Sequence, residues 1–336
     1  MQSFTLRKSA NRFLRNSEGD MAMTKIQQND LSIITGADDR HIDYLYGLLN
    51  SLRTFNDSEY PIYVIDFGFS EEQRIRLSEK YPEASIIPVV WIDDDIARMR
   101  EEPGVMQIEG IDYILSTMRK LTLASFDKSK FFLWLDADTL VLQPMSCWLP
   151  TPQEGKIIAG RNSRREIAFQ FKNRSPMIRE ALADHLLKTL GISQITANTF
   201  NSGVIIADSN YYRTVVQWAR DHFLINFGPY LMGDQAILNV AMSLQRQEVC
   251  DLPAGINVSI SSPNGKADLV RNSYNGRDHV GIDVGNGTVS VYHFLVIKPH
   301  LHKNKDHPVC QLLSYWKNAE IAPRGFEKRP SHVSAN

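Results

Sequence analysis

The chain has 336 residues, of which 43% are hydrophobic and 22% are charged, and its formal net charge is -1. This is the composition of an ordinary globular protein with enough apolar side chains for one large core. The near-neutral charge excludes an electrostatic basis for binding nucleic acid, so we expect no nucleic-acid partner.

The sequence shows no pattern of a targeting segment, and its cysteines lack the spacing of a zinc site. No apolar segment approaches the ~20 residues of a membrane-spanning helix, and no apolar stretch follows the basic residues near the start, so we expect neither a transmembrane segment nor a secretory signal. Residues 1–28 are polar and aperiodic, which predicts a flexible N-terminal arm. Cys147, Cys250 and Cys310 lack paired spacing and are interpreted as buried thiols. Together these features predict a cytoplasmic protein.

Strand and helix patterns alternate through the first part of the chain. Residues 31–35 predict a strand, and leucines at helical spacing follow it between 42 and 52. Further strands are predicted at 61–66 and 85–92, with a helix at 71–80 between them. This alternation is typical of a parallel sheet with right-handed crossovers. We therefore predict an α/β fold with a single Rossmann-like, mostly parallel central sheet flanked by helices.

The later part of the chain continues with elements of both kinds. We predict helices at 113–126, 176–190, 210–223, 233 onward and 308–319, and strands at 156–160 and 289–294. Residues 198–208 predict a polar corner that opens onto a buried strand. Residues 255–287 are rich in Gly, Asn, Ser and Asp and predict a long irregular loop, either a mobile flap or an ordered excursion. The predicted organisation is a main domain at 29–304 and a C-terminal helix and tail at 305–336.

The apolar run at residues 131–142 carries Asp136 and Asp138, one residue apart. Such a run predicts a strand buried on both faces, and ligands of open α/β sheets bind where strands end. Two carboxylates this close repel each other unless they share a proton or hold a cation. Mg²⁺ and Mn²⁺ take oxygen ligands and bridge carboxylates to phosphates. The segment therefore predicts a site for a metal and a diphosphate.

A second acidic triplet provides an internal comparison. Asp93, Asp94 and Asp95 also follow an apolar run, but a helical pattern begins directly after them. We interpret this triplet as the acidic first turn of a helix. The alternative for Asp136 and Asp138 is a solvated loop, against which the apolar residues 140–142 argue.

Four motifs along the chain resemble, in order, those of the glycogenin-like, family 8 glycosyltransferases of the GT-A fold. They are residues 135–141 with Asp136, Ala137 and Asp138; residues 200–204 with Asn201, Ser202 and Gly203; residues 233–239 with Asp234 and Gln235; and residues 293–299 with His293 and Lys298. Lys120, on the helix before the aspartates, is similar to the family's helix lysine. The segment from Leu252 and Pro253 to Asn257 also has a counterpart in the family. The resemblance covers residues 31–299, most of the chain.

The resemblance implies a GT-A glycosyltransferase that moves a hexose from a nucleotide diphosphate sugar, usually UDP-linked, with retention of anomeric configuration. It implies Mn²⁺, or Mg²⁺, held by Asp136, Asp138 and His293, and an imidazole ligand favours Mn²⁺. Asp234, Gln235 and Lys120 are the implied catalytic residues. The implied donor-binding residues are Thr35, Gly36, Ala37 and Asp38 in a nucleoside-binding turn, Asp136, Ala137, Asp138, Asn201, Ser202 and Gly203, and Lys298 on the diphosphate.

Two departures from the family pattern fall in the last motif. Leu295, Val296 and Ile297 fill a gap that is one residue shorter than the family's and lacks its glycine, which bears on the reach of Lys298. His300 stands where the family has a tryptophan, so we expect this loop to pack differently.

Other functions compete with this interpretation. A haloacid-dehalogenase-like phosphohydrolase also places Asp-x-Asp after an apolar strand, but Leu140 stands where that pattern expects Thr or Val, and His293 is left unexplained. A non-catalytic interaction module would keep the fold without needing these side chains. The acceptor can be a glycan, a lipid-linked sugar, a small molecule or a protein, and a lipid-linked acceptor would bring the protein to a membrane surface.

Overall fold

A computed structural model describes residues 30–161, 167–192, 199–260, 265–285, 288–295, 298–302 and 304–321. The predicted N-terminal arm at 1–28 and the tail from residue 322 lie outside the described residues. Within the described residues, no helix combines the length and the apolar character needed to cross a membrane.

The described residues form eleven strands and nine α-helices. The strands are β1 (Leu31–Ala37), β2 (Ile62–Asp66), β3 (Ala84–Pro88), β4 (Phe131–Leu135), β5 (Thr139–Val141), β6 (Ile157–Arg161), β7 (Phe200–Asp208), β8 (Val249–Asp251), β9 (Asp268–Tyr274), β10 (Arg277–Asp283) and β11 (Val291–His293). The helices are α1 (Ile42–Phe55), α2 (Glu71–Lys80), α3 (Ile92–Glu101), α4 (Ile111–Met118), α5 (Pro176–Thr189), α6 (Ser209–Ala219), α7 (Ile225–Phe227), α8 (Gly233–Leu244) and α9 (Pro308–Asn318).

Seven of these strands form the central sheet, in the spatial order β3, β2, β1, β4, β7, β6, β8. Neighbouring strands are parallel except at β7, which runs antiparallel to both β4 and β6. The prediction of an α/β fold with one mostly parallel central sheet is therefore confirmed.

The central strand β4 is buried along its whole length because hydrophobic cores cover both faces of the sheet. Phe132 and Trp134 belong to the core that contains α4, α6 and α8. Leu133 and Leu135 belong to the opposite core, between the sheet and helices α1 and α9. Alternate side chains of a strand point to opposite faces, so a strand between two cores must be apolar at every position. This explains the continuous apolar run in the sequence.

Several predicted elements have different bounds in the structure. The apolar run at 131–142 forms two strands, because β4 ends before Asp136 and β5 pairs with β11 in a separate two-stranded sheet. The predicted strand at 85–92 ends at Pro88, and Asp93, Asp94 and Asp95 lie in the first turn of α3, as predicted. The predicted helix at 113–126 is α4 followed by a 3₁₀ segment, Arg119–Ser125.

The prediction of an irregular loop at 255–287 is wrong for its central part. There β9 and β10 pair as an antiparallel hairpin, from Asp268 opposite Asp283 to Tyr274 opposite Arg277. The two turn residues, Asn275 and Gly276, both have positive φ, at 49° and 71°. Asn-Gly is the favoured sequence for such a turn, because these residues tolerate a left-handed backbone at little cost.

Trp316 of α9 fixes this hairpin to the rest of the protein. Its indole is fully buried, stacks on His279 with an interplanar angle of 10°, and donates a hydrogen bond from Nε1 to the Val280 carbonyl at 2.9 Å. The same ring packs against Phe55 of α1. Residues 268–283 therefore have the contacts of an ordered excursion rather than those of a free flap.

The three cysteines are free thiols, in agreement with the prediction that they form no disulfide framework. Cys310 is buried and Cys250 is half-buried, but Cys147 is exposed. The expectation of a buried thiol is therefore wrong for Cys147, which is the last residue of a short 3₁₀ turn after Pro144 rather than part of a core-facing strand.

We predict that Trp316→Ala lowers the free energy of unfolding by about 3–5 kcal/mol, because a buried indole leaves a cavity and its hydrogen bond is lost. Chemical denaturation measures this change, and amide exchange within 268–283 should become faster. Lys317→Ala is the control, since Lys317 lies on the same helix but pairs with Asp43 of α1 rather than with the hairpin. An equal loss of stability in both variants would show that the indole does not hold the hairpin.

Candidate active site

Asp136 and Asp138 lie in the tight connection between β4 and β5. The Asp136 amide donates to the Gly203 carbonyl of β7 at 2.8 Å, and the Thr139 amide and hydroxyl both donate back to the Asp136 carbonyl. These bonds fix the backbone of the connection on both sides. The two carboxylates are thus held at the end of a central strand, where open α/β sheets bind ligands.

His293 reaches the same place from a distant part of the chain. The strand β11 pairs antiparallel with β5, and this register places His293 opposite Thr139. Its Nε2 lies 3.2 Å from Asp138 Oδ1 and 3.8 Å from Asp136 Oδ2. One ligand atom from each of the three side chains lies within 4.8 Å of the other two.

A chain of amide hydrogen bonds fixes the tautomer of His293. Asn201 Oδ1 accepts from the Gly203 amide at 2.8 Å, and it also accepts from Asn257 Nδ2 at 2.9 Å. Asn257 Oδ1 therefore faces His293 Nδ1, at 2.8 Å. Because an amide oxygen can only accept, Nδ1 carries a hydrogen, and in the neutral ring the Nε2 lone pair would point towards the aspartates. A metal-binding histidine needs this orientation.

Glycine at position 203 is required by the close approach of the imidazole. A Cβ at Gly203 would lie 2.1 Å from His293 Cε1, which is well inside van der Waals contact. The chain therefore leaves room for the ring at this point of β7. Two carboxylate oxygens and one imidazole nitrogen suit a divalent cation such as Mn²⁺, so the residues present fit the metal that the sequence implies.

Asp138 is shared between His293 and Lys298. Burial by itself would raise the pKa of Asp138, but the charges and hydrogen bonds of His293 and Lys298 outweigh it and hold the pKa well below the usual range. The Lys298 ammonium forms an ion pair with Asp138 Oδ2, and its side chain is about one-third exposed. The short gap after His293 therefore does not prevent Lys298 from reaching the carboxylates.

Lys120 lies behind the aspartates and links them to α8. Its ammonium is 2.9 Å from Asp136 Oδ1 and 3.1 Å from Asp234 Oδ2, and it donates to the Ser202 carbonyl at 2.7 Å. Burial lowers the pKa of Lys120, but the two carboxylates outweigh this effect and raise it above its usual value. Lys120 therefore stays charged, and it is placed to neutralise two acidic groups.

Asp234 and Gln235 begin α8 and bond to the first residues of β7. Ser202 Oγ donates to Asp234 Oδ2 at 2.8 Å, and the Ser202 amide donates to Gln235 Oε1 at 3.2 Å. Gly233 has a φ of 76°, and a Cβ there would lie 2.2 Å from Thr117 Oγ1. Only glycine lets α8 begin this close to α4. The structure thus brings Lys120, Asp234 and Gln235 to one side of the carboxylates.

The predicted nucleoside-binding turn at Thr35–Asp38 has a different conformation. The strand β1 runs two residues further than predicted, so Thr35, Gly36 and Ala37 lie within it and the turn begins at Asp38. Thr35 is fully buried, and its hydroxyl has no hydrogen-bond partner among the described residues. Asp38 pairs with Arg40 and His41. Burial would raise the pKa of Asp38, but these neighbours lower it.

Two residues that contact the site were absent from the predicted set. Asn257 orients His293, and Trp134 donates from Nε1 to Asp136 Oδ1 at 2.6 Å. The signal for Trp134 was present in the sequence, because a buried indole usually requires an acceptor and Asp136 follows two residues later. The resemblance included the segment from Leu252 to Asn257 but gave Asn257 no role, and its contact with His293 arises only from the fold. Ala137, between the two aspartates, is buried and offers only its backbone.

No protein-family profile matches the chain, and no curated protein matches it in sequence. Solved structures match it in fold. The galactosyltransferase LgtC, in complex with donor and acceptor sugar analogs, aligns with a TM-score of 0.54 at 18% identity, over 85% of this chain and 95% of that chain. An active-site mutant of LgtC gives 0.57 at 19% identity, over 85% and 94%. The bifunctional glycosyltransferase WbbM gives 0.53 at 15% identity, over 85% and 50%.

The chain has a GT-A fold. This conclusion rests on the sheet order, with its one antiparallel strand at β7, and on the likeness to these glycosyltransferases along most of the chain. At this level of identity the likeness establishes the architecture, and the function has to be argued from the side chains.

We predict that Lys120→Met lowers the free energy of unfolding by about 3 kcal/mol, because it leaves two carboxylates close together without their shared cation. Adding Asp234→Asn to this variant should restore part of the loss. Lys130→Met is the control, since Lys130 pairs with Glu154 on the surface, where an ion pair adds little to stability. Equal effects at both lysines would refute the structural role of Lys120.

Proposed function

We propose that this protein is a metal-dependent glycosyltransferase of the glycogenin-like, family 8 type, which transfers a hexose from a UDP-linked donor to an acceptor hydroxyl with retention. The observation that carries the proposal is the convergence of Asp136, Asp138 and His293 at the end of β4, in a fold shared with known glycosyltransferases. A cation site in this position suits a diphosphate, which brings negative charge to the same strand ends.

In this proposal Asp136, Asp138 and His293 hold Mn²⁺ or Mg²⁺, which when bound neutralises charge on the departing diphosphate. Lys298 supplies a second positive charge. Its ammonium now lies on Asp138, its side chain is about one-third exposed, and its flexible stem allows the group to turn towards a phosphate oxygen. This stabilisation needs no proton transfer from the protein, because a lysine ammonium and a cation act by charge alone.

The side chains at the start of α8 are proposed to bind and orient the donor sugar. Gln235 Oε1 is already engaged by the Ser202 amide, so the Gln235 amide nitrogen is the group left to donate to a sugar hydroxyl. Asp234 is held by Ser202 and by Lys120. A carboxylate paired in this way can accept hydrogen bonds from sugar hydroxyls.

Transfer with retention requires the acceptor to attack from the side on which the diphosphate leaves. The acceptor oxygen forms a bond to the anomeric carbon while the bond from that carbon to the diphosphate oxygen breaks. The bonding electron pair passes to the diphosphate, and the acceptor proton moves to a diphosphate oxygen on the same face. We assign Asp234 and Gln235 to positioning the sugar in this step, with no covalent sugar-enzyme intermediate.

The acceptor and the cellular setting are part of the same proposal. LgtC binds donor and acceptor sugar analogs, which favours a sugar-containing acceptor for this chain as well, free or attached to a lipid. We propose that the protein acts in the cytoplasm. A lipid-linked acceptor would place it at a membrane surface.

The phosphohydrolase alternative is disfavoured by the surroundings of Asp136. Both Trp134 and Lys120 bind Asp136 Oδ1, and its Oδ2 faces His293. A carboxylate whose Oδ1 already accepts two hydrogen bonds is a poorer nucleophile, whereas an Oδ2 that faces a histidine nitrogen suits a metal ligand. We predict no Asp136-dependent release of phosphate from p-nitrophenyl phosphate with Mg²⁺. Robust release that disappears in Asp136→Asn would contradict the transferase proposal.

We predict that Asp138→Ala weakens Mn²⁺-dependent UDP binding by roughly 100-fold or more, since losing a direct ligand exceeds the usual 10–100-fold cost of losing a ligand's hydrogen-bond partner. Calorimetry with Mn²⁺ and with EDTA measures the effect, and circular dichroism checks that the variant folds. Asp94→Ala, in the exposed first turn of α3, is the matched control. Unchanged UDP affinity in Asp138→Ala, with and without EDTA, would refute the site.

A further inference from the structure

The position of Lys298 depends on a tight turn that begins at this residue. The Leu301 and His302 amides both donate to the Lys298 carbonyl, at 2.9 Å and 3.0 Å. Lys305 Nζ closes the turn from the other side by donating to the Pro299 carbonyl at 2.8 Å. The ammonium of Lys298 is therefore carried by a small, internally bonded unit, which we call the 298–302 turn.

One side chain of α1 attaches this turn to the core. The Tyr44 hydroxyl and His300 Nδ1 share a hydrogen bond of 2.7 Å, and the two rings meet edge to face, at 5.5 Å and 86°. Tyr44 is 2% exposed, whereas His300 lies at the surface. Burial raises the pKa of Tyr44 and lowers that of His300, so the phenol donates to a neutral imidazole at neutral pH.

Tyr44 also packs against the segment that follows the metal-ligand histidine. Its ring centroid lies 5.6 Å from that of Phe294, and the Phe294 amide donates to the Asp138 carbonyl at 2.9 Å. Tyr44 therefore contacts both the 298–302 turn and Phe294, which follows His293 and is hydrogen-bonded to the Asp138 backbone. A change in the Tyr44 side chain would therefore alter the distance between the Lys298 ammonium and the Asp138 carboxylate.

We propose that Tyr44 and His300 are positioning residues that hold the Lys298 ammonium beside Asp138, where it meets the donor diphosphate. The inference rests on the proposed function, because it presumes that a diphosphate binds here. The Tyr44–His300 hydrogen bond is the polar contact that joins the turn to α1. Without that bond the turn loses its link to α1, and the long lysine stem samples more positions.

Tyr44→Phe tests this inference, because it removes only the hydroxyl and keeps the packed ring. With Mn²⁺ present, we expect UDP to bind about 5–10-fold more weakly by calorimetry, the size expected for one lost hydrogen bond. The affinity for uridine, measured by ligand-observed NMR, should stay the same, because uridine has no phosphate for Lys298 to contact. Tyr212→Phe is the matched control, since the buried Tyr212 hydroxyl has no hydrogen-bond partner among the described residues.

A double-mutant cycle with Lys298→Met separates positioning from a general effect on the fold. If Tyr44 acts through Lys298, adding Tyr44→Phe to Lys298→Met should cause no further loss of UDP affinity. His300→Phe should weaken UDP binding as Tyr44→Phe does, and the two changes should not add. Additive losses, or an equal loss for uridine, would overturn the inference while the transferase proposal stands. Failure of the unaltered protein to bind UDP with Mn²⁺ would overturn both.

Discussion

The candidate site depends on one buried ammonium. Lys120 Nζ holds Asp136 at the end of β4, the Ser202 carbonyl at the start of β7 and Asp234 at the start of α8. Burying a carboxylate is costly unless a cation pairs with it, and here one lysine serves two. The three elements that bear the site are therefore fixed to a common point. The position of α8 also requires Gly233, because any side chain there would displace Thr117 of α4.

A second set of hydrogen bonds connects His293, which comes late in the chain, to β7. Asn201 Oδ1 accepts a hydrogen bond from a backbone amide of β7 and another from the Asn257 side chain, which orients Asn257. Asn257 Oδ1 in turn accepts from His293 Nδ1 and fixes the orientation of the ring. Amide side chains suit this purpose because they donate and accept at once, so each bond sets the direction of the next. The antiparallel β7 supplies both Ser202 for Lys120 and Asn201 for His293, since adjacent residues of a strand point to opposite sides.

Most of the architecture could be predicted from local patterns, and the exceptions have physical reasons. The unbroken apolar run before Asp136 indicated a strand between two cores, and the order of the motifs indicated where Asp234 and His293 belong. The contact of Asn257 with His293 and the pairing of β5 with β11 could not be predicted, because both join residues far apart in sequence. The hairpin at 268–283 could have been found, since Asn275-Gly276 is a strong turn signal. Its glycine and asparagine content was instead interpreted as loop composition.

The sharing of Asp138 has a consequence for the proposed function. One oxygen of this carboxylate faces His293 Nε2, and the other pairs with the Lys298 ammonium. A divalent cation bound between Asp138 and His293 would repel that ammonium and weaken its ion pair. A diphosphate arriving at the same strand end offers Lys298 a stronger partner, because it carries more negative charge than one carboxylate. Metal and nucleotide should therefore bind with positive coupling, because the Lys298 ammonium would exchange its ion pair with Asp138 for one with a phosphate. The 298–302 turn sets the distance over which the ammonium would have to move.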